Sequence, residues 1–407
     1  MKGTVEAYRA LSEICLRGCW IGEAVKREGR VLHENKGVLR LVYGVVEREY
    51  LYRYRISRLA EKSPKPSVAI LLKMGMYLVD ESEIPSYAAV NEIVALSRSV
   101  GKGGVSGFVN AFLRRYVEEG ASLYPEEEEA LLSVKANLPI WLVRRYIGEL
   151  GKERAITRLL APRSAKTHVR PSIAFGKEGL RAALIKRGIE YEETAHGFFL
   201  QKVGEIADLL REGCATVMSF GSLEIASAIP APTGRILDLC AAPGGKSVYL
   251  AERYGREVIA CDLYPHRVEL IRSYASRMGV SSVKAEVRDG LLYEESFKGA
   301  FSTVLLDAPC SGLGSLASNP DIALHRTEED LTALIDTQRK LLANAGEYVA
   351  VGGTLLYSTC SDLPSEDEEV VKDFLKTHPD FRVEREVYTD PTAGGGESYY
   401  YALMRKI

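Results

Sequence analysis

Two cysteines stand in matched settings, each just after a predicted strand and each next to a turn-forming serine. Cys310 lies in the segment Asp307–Gly312, and Cys360 lies in the segment Leu356–Ser361. A lone cysteine beside a strand is usually a small core residue, but a matched pair favours chemistry. A thiolate that adds to C6 of a cytosine activates C5 to accept a methyl group, after which the C5 proton leaves and the thiol is eliminated. The pair therefore predicts covalent catalysis on a pyrimidine.

A carboxylate and an amine accompany the two thiols. Asp307 ends the strand before Cys310, and its carboxylate could hydrogen-bond the protonated N3 or the N4 amino group of cytosine. Lys246 is expected near it and could orient either that carboxylate or the base. A structural ion pair between Lys246 and Asp307 is the alternative interpretation, and the two are compatible.

A segment of small residues, Asp238–Ser247, follows the first predicted strand and indicates a cofactor site. Small residues let the backbone approach a ligand closely, and a helix that starts near Lys246 can present free N–H groups. Asp262 ends the second strand, where a carboxylate can accept hydrogen bonds from both ribose hydroxyls. Asp289 follows the third strand, within reach of an adenine amino group. A dinucleotide dehydrogenase is the competing interpretation, but the first turn lacks Gly-x-Gly-x-x-Gly, so a methionine-bearing nucleoside fits better.

The elements that must position these residues alternate between strands and helices from Gly234 onward. We predict the strands at 235–240, 257–262, 283–287, 303–307 and 354–358. Such alternation is typical of a largely parallel sheet covered by helices on both faces. Ligands of these folds bind beyond the carboxyl ends of the strands, where the residues above all fall. We expect the last two strands to be neighbours, so that both thiols project over one cleft.

The first 116 residues predict helices instead, including helices around 67–79, 86–100 and 104–118. This region holds 19 Lys and Arg against 12 Asp and Glu, although the whole chain of 407 residues has a net charge of -2. A basic module of this kind suits a phosphate backbone, whereas an ordinary solvated helical surface is the simpler alternative. We predict domains at 1–130, 131–232 and 233–407, the middle one a small connecting α+β domain.

Composition places the chain among cytosolic proteins that act without a membrane. No run of about 18 apolar residues appears, and the N-terminus has no signal-peptide core. The seven cysteines are irregularly spaced, and Cys15 and Cys19 have no histidine partners nearby. We therefore expect reduced thiols, no metal and a monomer acting in the cytoplasm.

The catalytic segments resemble the RNA cytosine-5 methyltransferases of the Sun (Fmu) family. The resemblance rests on Asp238–Lys246, Asp307–Gly312 and Thr359–Ser361. It implies a Rossmann-like class I methyltransferase domain with a mostly parallel seven-stranded sheet, and S-adenosylmethionine as cofactor. It also implies that Cys360 is the nucleophile and that Cys310 assists release of the product. The cofactor residues that it implies are Cys240, Ala241, Ala242, Pro243, Gly244, Gly245, Lys246, Asp262, Asp289 and Asp307.

Two N-terminal segments, Pro85–Val94 and Gly107–Arg115, resemble the NusB-like domain carried by the RsmB-type branch of that family. This all-helical module binds RNA, and its presence implies that the substrate is cytosine 967 of 16S ribosomal RNA. The chain departs from the family at Met218-Ser219, where a Gln-Asp pair is usual, at Arg170-Pro171, where Arg-x-Asn is usual, and at His325-Arg326. These departures put the RNA target in doubt.

Three other functions stay open at the level of sequence. The first is the same reaction on transfer RNA or 23S ribosomal RNA. The second is a non-catalytic NusB-like RNA-binding or antitermination protein, which Lys246, Cys310 and Cys360 argue against. The third is methylation of an exocyclic amino group, which usually requires an Asn/Asp-Pro-Pro-aromatic motif where this chain has Asp307–Cys310.

Overall fold

The computed structural model describes residues 2–29, 31–32, 35–163, 166–389 and 395–407. Contacts divide the chain into two compact units. The first comprises residues 1–161 and 319–326, and the second comprises residues 162–318 and 327–407. The boundary between the units lies beyond residue 130, since the helices up to residue 159 group with the first unit. The division into three domains stays a prediction.

The first unit is helical, as the apolar periodicity predicts, and its core is formed by aliphatic side chains at helical spacing. Two of its helices begin where proline favours a start, since Pro66 is the first residue of its helix and Pro85 caps the next. Its helices are α1 (Thr4–Arg17), α2 (Ile21–Arg27), α3 (Lys36–Val46), α4 (Glu49–Leu59), α5 (Pro66–Glu81), α6 (Ser86–Ser99), α7 (Ser106–Glu119), α8 (Glu128–Ala136), α9 (Ile140–Leu150) and α10 (Lys152–Leu159).

A short segment from the second half of the sequence, residues 319–326, completes this unit. Asp321 Oδ2 accepts a hydrogen bond of 2.6 Å from the backbone N–H of Ile21 at the start of α2. The Tyr50 hydroxyl donates to the carbonyl of Ala323 at 3.0 Å. The segment contains the short helix α16 (Ile322–His325), and local periodicity gives no signal for where it packs.

The second unit contains two sheets. A small sheet of order β2-β3-β1-β4 joins antiparallel strands around its own apolar core. Its elements are β1 (Thr167–Pro171), α11 (Gly176–Lys186), β2 (Tyr191–Glu193), β3 (Phe198–Leu200), α12 (Ala207–Arg211) and β4 (Ala215–Val217). The expected mixed α+β character of this region is therefore found.

The larger sheet has seven strands in the order β10-β11-β9-β8-β5-β6-β7. Neighbouring strands among β5 to β9 pair in parallel, whereas β11 runs antiparallel to both β9 and β10. This is the mostly parallel sheet that the sequence predicts. Its strands are β5 (Ile236–Asp238), β6 (Val258–Asp262), β7 (Val283–Val287), β8 (Phe301–Asp307), β9 (Val349–Thr359), β10 (Phe381–Tyr388) and β11 (Tyr400–Lys406).

Helices lie between these strands and begin at recognisable signals. Pro265 is the first residue of its helix, and Thr327 and Asp330 form a capping box at the start of the longest one. The helices are α13 (Phe220–Ala228), α14 (Gly245–Tyr254), α15 (Pro265–Arg277), α17 (Glu328–Tyr348) and α18 (Glu368–Thr377). No helix among the described residues is long and apolar enough to cross a membrane.

Arg170, which keeps the arginine of the family pattern at the Arg170-Pro171 departure, lies inside the second unit. It is 1% exposed, and its guanidinium Nη2 lies 2.7 Å from Oε2 of Glu252 on α14, which is also buried. A buried ion pair is costly to break because the remaining partner keeps an uncompensated charge. This departure therefore concerns the interior of the unit, since the side chain is inaccessible to RNA.

We predict that Arg170→Met destabilises the second unit by about 3–5 kcal/mol, because the Glu252 carboxylate is left buried and unpaired. The change would be measured as a lowered midpoint of thermal unfolding. Lys202→Met is the matched control, because Lys202 and Glu205 form an exposed pair at 3.6 Å. An Arg170→Met protein as stable as this control would contradict a stabilising role for the pair.

Candidate active site

The carboxyl ends of β8 and β9 meet at one edge of the large sheet. Asp307, the last residue of β8, lies opposite Ser358 in the register of the pair. The backbone N–H of Ala308 then donates to the carbonyl of Ser358 at 2.8 Å. Because both strands end at the same level, the segments that carry Cys310 and Cys360 leave the sheet side by side. The prediction that these two strands are neighbours is confirmed.

A cavity of about 260 Å³ lies beside this edge. Its wall combines the end of β4, the start of α13, the turn between β5 and α14, and the end of β8. The lining residues are Val217, Met218, Ser219, Ser222, Asp238, Cys240, Ala241, Ala242, Pro243, Gly245, Lys246, Tyr274 and Asp307. The predicted cofactor segment 240–246 therefore lines one cavity, with the exception of Gly244.

Gly244 shapes the turn without lining the cavity. Its φ of 106° is a left-handed conformation, and a Cβ there would lie 3.1 Å from the Cα of Ile271 on α15. Helix α14 begins at the next residue and has no side-chain cap. The turn thus leaves the first N–H groups of the helix available to an anionic group.

Lys246 connects the cavity to the strand ends. Its Nζ lies 2.5 Å from Oδ2 of Asp307 and also donates to the Ser222 hydroxyl at 3.3 Å. The other carboxylate oxygen of Asp307 accepts a hydrogen bond of 2.8 Å from the Ser358 hydroxyl. The predicted proximity of Lys246 and Asp307 is confirmed. The ion pair fixes the carboxylate at the end of β8 and does not exclude a role toward a base.

The two thiols contact each other. The Sγ atoms of Cys310 and Cys360 lie 3.0 Å apart, and the backbone N–H of Cys360 donates to Sγ of Cys310 at 3.3 Å. Both cysteines carry reduced thiols. The contact with Cys360, together with burial and the nearby Glu366 carboxylate, raises the pKa of the Cys310 thiol well above its ordinary value. The surroundings of Cys310 therefore disfavour its thiolate form.

Asp262 is the last residue of β6, and Asp289 follows the end of β7. Neither residue lines the cavity. Asp262 is 4% exposed; it accepts a hydrogen bond of 3.2 Å from the backbone N–H of Ala242 and lies 3.4 Å from Arg267. Asp289 is half-buried and accepts from the backbone N–H of Leu291 at 2.9 Å. Their proposed contacts with ribose and adenine stay predictions.

The departure at Met218-Ser219 falls in the cavity wall, since both residues line it. It therefore bears on the cavity rather than directly on RNA. Sequence reasoning missed several polar residues around the thiols, among them Ser358, Gln338 and Glu366. The Glu366 carboxylate accepts hydrogen bonds from both cysteine-bearing segments. Its only signal is its place six residues after Cys360, which has no meaning until the chain is folded.

Two protein families match different parts of the chain, one the region of the large sheet and the other the helical region. Residues 227–402 match the model of the family described as 16S rRNA methyltransferase RsmB/F. Residues 8–118 match the model of the NusB family. The first match covers the large sheet except the end of β11, both thiols and most of the residues that line the cavity, and the second lies within the helical unit.

The chain is similar over most of its length to curated relatives. It is 32% identical over 394 residues to the probable ribosomal RNA small subunit methyltransferase B of Bacillus subtilis, which covers 93% of this chain and 87% of that protein. It is also 32% identical over 376 residues to the protein of the same description from Synechocystis, covering 86% of this chain and 83% of the relative.

Solved structures show the same fold. The crystal structure of the protein PH0851 superimposes with a TM-score of 0.80 over 99% of both chains, at 23% identity. A methyltransferase homologue from Pyrococcus horikoshii gives a TM-score of 0.57 at 25% identity, covering 68% of this chain and 98% of that one.

Asp238 gives the unit a testable dependence on pH. It is 1% exposed, its Oδ2 accepts from the Ser247 hydroxyl at 2.5 Å, and its Oδ1 has no partner among the described residues. Burial raises the pKa of this carboxyl from 3.8 to about 7. The folded protein therefore holds the Asp238 proton more tightly than the unfolded chain does. The stability that this proton contributes is fully present below the unfolded pKa of 3.8 and is lost as pH rises toward 7.

We therefore predict that Asp238→Asn flattens the decline in stability of the cofactor-free protein between pH 4 and 7. The loss that the variant avoids is about 4 kcal/mol, at about 1.4 kcal/mol per pKa unit. Thermal unfolding followed across that range measures it. Asp336→Asn removes an exposed carboxylate on α17 and should keep the wild-type slope. Equal slopes in all three proteins would show that Asp238 does not ionise in this range.

Proposed function

The chain belongs to the ribosomal RNA small subunit methyltransferase B family, and from this premise we propose that it methylates C5 of a cytosine in 16S ribosomal RNA. Methylation of ribosomal RNA with S-adenosylmethionine follows from the family. The proposal adds the C5 position, cytosine 967 as the target, and a covalent adduct between Cys360 and C6.

One observation carries the proposal, namely that two thiols lie 3.0 Å apart just beyond adjoining strand ends, one of which is Asp307. Methyl transfer to an oxygen or an exocyclic nitrogen needs no thiol, because those atoms are nucleophiles themselves. C5 of cytosine is not, and it requires an addition at C6 that a thiolate can make. The pair of thiols therefore supports C5 as the methylated atom.

The cavity beside the strand ends suits S-adenosylmethionine. Its wall offers an unpartnered carboxylate oxygen on Asp238 and a helix start without a side-chain cap, which match the amino and carboxylate groups of a methionine. Asp262 and Asp289 would hold the ribose and the adenine. When bound, the cofactor supplies an electrophilic methyl group.

Residues of the chain activate the base and form the covalent bond to it. Asp307, fixed by Lys246 and Ser358, accepts a hydrogen bond from the protonated N3 or from the N4 amino group of the cytosine. It thereby stabilises the positive charge on the ring, and that charge makes C6 electron-poor. The Cys360 thiolate then forms a bond from Sγ to C6, and the electron pair of the C5–C6 double bond moves toward C5. The base must be unstacked or flipped to reach a thiol beside these strand ends.

The final steps require a proton acceptor and a leaving thiolate. Once C5 carries the methyl group, its proton passes to a water molecule, the electrons of that C–H bond restore the C5–C6 double bond, and the Sγ–C6 bond breaks with its electron pair on Sγ of Cys360. We assign assistance of this release to Cys310, whose protonated thiol contacts Cys360 and can donate its proton to the departing Sγ. The neutral state of the Cys310 thiol makes it a poor competitor for the initial attack.

The helical unit supports the RNA part of the proposal. Several of its exposed cations have no ion-pair partner among the described residues, and they are suited to contact phosphates. They are Arg40, Arg58, Lys65, Arg98 and Arg114.

Cysteine variants test the reaction. Wild-type protein incubated with S-adenosylmethionine and unmethylated 16S ribosomal RNA should protect cytosine 967 from bisulfite deamination, and nucleoside mass analysis should identify 5-methylcytidine. Cys360→Ala should abolish the product while leaving cofactor affinity nearly unchanged. Cys310→Ala should accumulate a covalent protein–RNA adduct, because release of the product is slowed.

Cys261→Ala is the matched control, because Cys261 is a buried thiol within β6 that touches neither strand end. Turnover by Cys360→Ala would refute the assignment of the nucleophile. A methyl group found on the exocyclic nitrogen would refute C5 chemistry. A methyl group found at another cytosine would refute only the assignment of cytosine 967 as the target.

Salt dependence tests the role of the helical unit. Each exposed cation that contacts a phosphate should, when changed to Gln, lower the slope of log affinity against log salt by about 0.7–1. Affinity for a ribosomal RNA fragment would be measured at several KCl concentrations. Arg27→Gln is the control, because Arg27 already pairs with Glu23 at 2.5 Å. If none of the five variants changes the slope, the helical unit does not hold phosphates through these residues.

A further inference from the structure

A buried carboxylate, that of Glu366, lies between the two cysteine-bearing segments. Glu366 stands in the turn between β9 and α18 and is 0% exposed. No ion pair to it is found among the described residues. A buried carboxylate without a cation persists only when hydrogen bonds compensate the loss of water. The donors that compensate Glu366 are therefore informative about its role.

Both cysteine-bearing segments supply such donors. The backbone N–H of Ser311 donates to Oε1 of Glu366 at 2.7 Å, and the Ser311 hydroxyl donates to Oε2. The Ser361 hydroxyl donates to the same Oε2 at 2.6 Å. Ser311 directly follows Cys310, and Ser361 directly follows Cys360. One carboxylate thus joins the residues next to both thiols.

A third connection fixes the carboxylate itself. Nε2 of Gln338, a fully buried residue on α17, donates to Oε1 of Glu366 at 3.0 Å and to the carbonyl of Pro309 at 3.0 Å. The carbonyl of Glu366 accepts a hydrogen bond of 2.6 Å from the Tyr357 hydroxyl on β9. Each carboxylate oxygen therefore accepts two hydrogen bonds, which is the number expected of an ionised carboxylate.

We propose that Glu366 is a positioning residue, whose carboxylate holds the Cys310 and Cys360 segments at the spacing that the two-thiol reaction needs. This inference rests on the proposed function, because it assigns a cause to the geometry of that site. Glu366 does not line the cavity, and its carboxylate accepts hydrogen bonds from Ser311 and Ser361, so it acts through these two residues. Its negative charge also helps to keep the Cys310 thiol protonated.

Glu366→Gln is the most informative variant. The side chain keeps its shape, but an amide nitrogen replaces one acceptor and would face two donors, so one segment must move. A displacement of about 1 Å at a reacting group lowers rates by about 100-fold. We expect kcat to fall 10- to 100-fold while KM for S-adenosylmethionine changes less than about twofold. Glu368→Gln is the control. Glu368 is the first residue of α18, its side chain is more exposed than that of Glu366, and it forms an ion pair with Lys372.

A trapped adduct separates this inference from the proposed function. RNA with fluorine in place of the hydrogen at C5 of the target cytosine retains the bond to Cys360 after methyl transfer, because fluorine cannot leave as a cation. The wild type should form this adduct, and Glu366→Gln should form it 10- to 100-fold more slowly. Absence of the adduct in the wild type would refute the proposed function. Equal adduct rates and kcat in wild type and Glu366→Gln would refute only the inference.

If Glu366→Gln does not fold, the positioning role can be tested with three other variants: Ser311→Ala, Ser361→Ala and the double variant. Each removes one hydroxyl donor while the carboxylate keeps its remaining partners. A reduced kcat at an unchanged unfolding midpoint supports the positioning role. An unchanged kcat in the double variant overturns it.

Discussion

The parallel pairing of β8 with β9 is the constraint on which the rest of the site depends. Its register places Asp307 opposite Ser358, so both strands end at one level and release their cysteine segments side by side. Two thiols that are 50 positions apart in sequence can therefore touch. Side chains alternate between the faces of a strand, so a slip of one residue would send Asp307 to the opposite face of the sheet from Ser358. A change in the loops after the strands would not return Asp307 to the face on which Ser358 lies, because the register of the strands sets that face.

Three carboxylates lie around this pairing, and each is stabilised differently. Asp307 is neutralised by Lys246, Glu366 is saturated by uncharged donors, and Asp238 keeps one oxygen without a partner among the described residues. Uncompensated burial costs stability, and Asp238 is the carboxylate that lines the cavity with an acceptor to spare. We interpret this as preorganisation, in which a polar group awaits a ligand that supplies its missing partner. Glu366, already satisfied, serves the arrangement of the thiols instead.

The sequence predicted the carboxyl ends of β6, β7 and β8 at the residues where they lie, whereas β5 ends at Asp238, two residues before the predicted end. The predicted strand 354–358 is the last part of β9, which begins at Val349. Glycines at 352 and 353 interrupt the β-branched pattern there. Gly352 has a left-handed φ of 72°, and the pairing of β9 with β8 shifts its register between Val349 and Thr354. The ends were well defined because each is followed by Pro, Gly or Ser in a turn, and turn chemistry is local. Strand starts depend on neighbouring strands, which local patterns do not report.

By itself, the sequence determined the helical first region, the alternation that builds the sheet, the motif that surrounds the cavity and the two cysteine contexts. Periodicity and short motifs carry these features, because they depend on residues close together in the chain. Only the tertiary structure decided that residues 319–326 complete the helical unit, that Arg170 is buried against Glu252, and that Glu366 joins both thiol segments. The physical reason is that an isolated polar residue carries no periodic signal. Its partners are chosen by packing, which brings together residues that are distant in the chain.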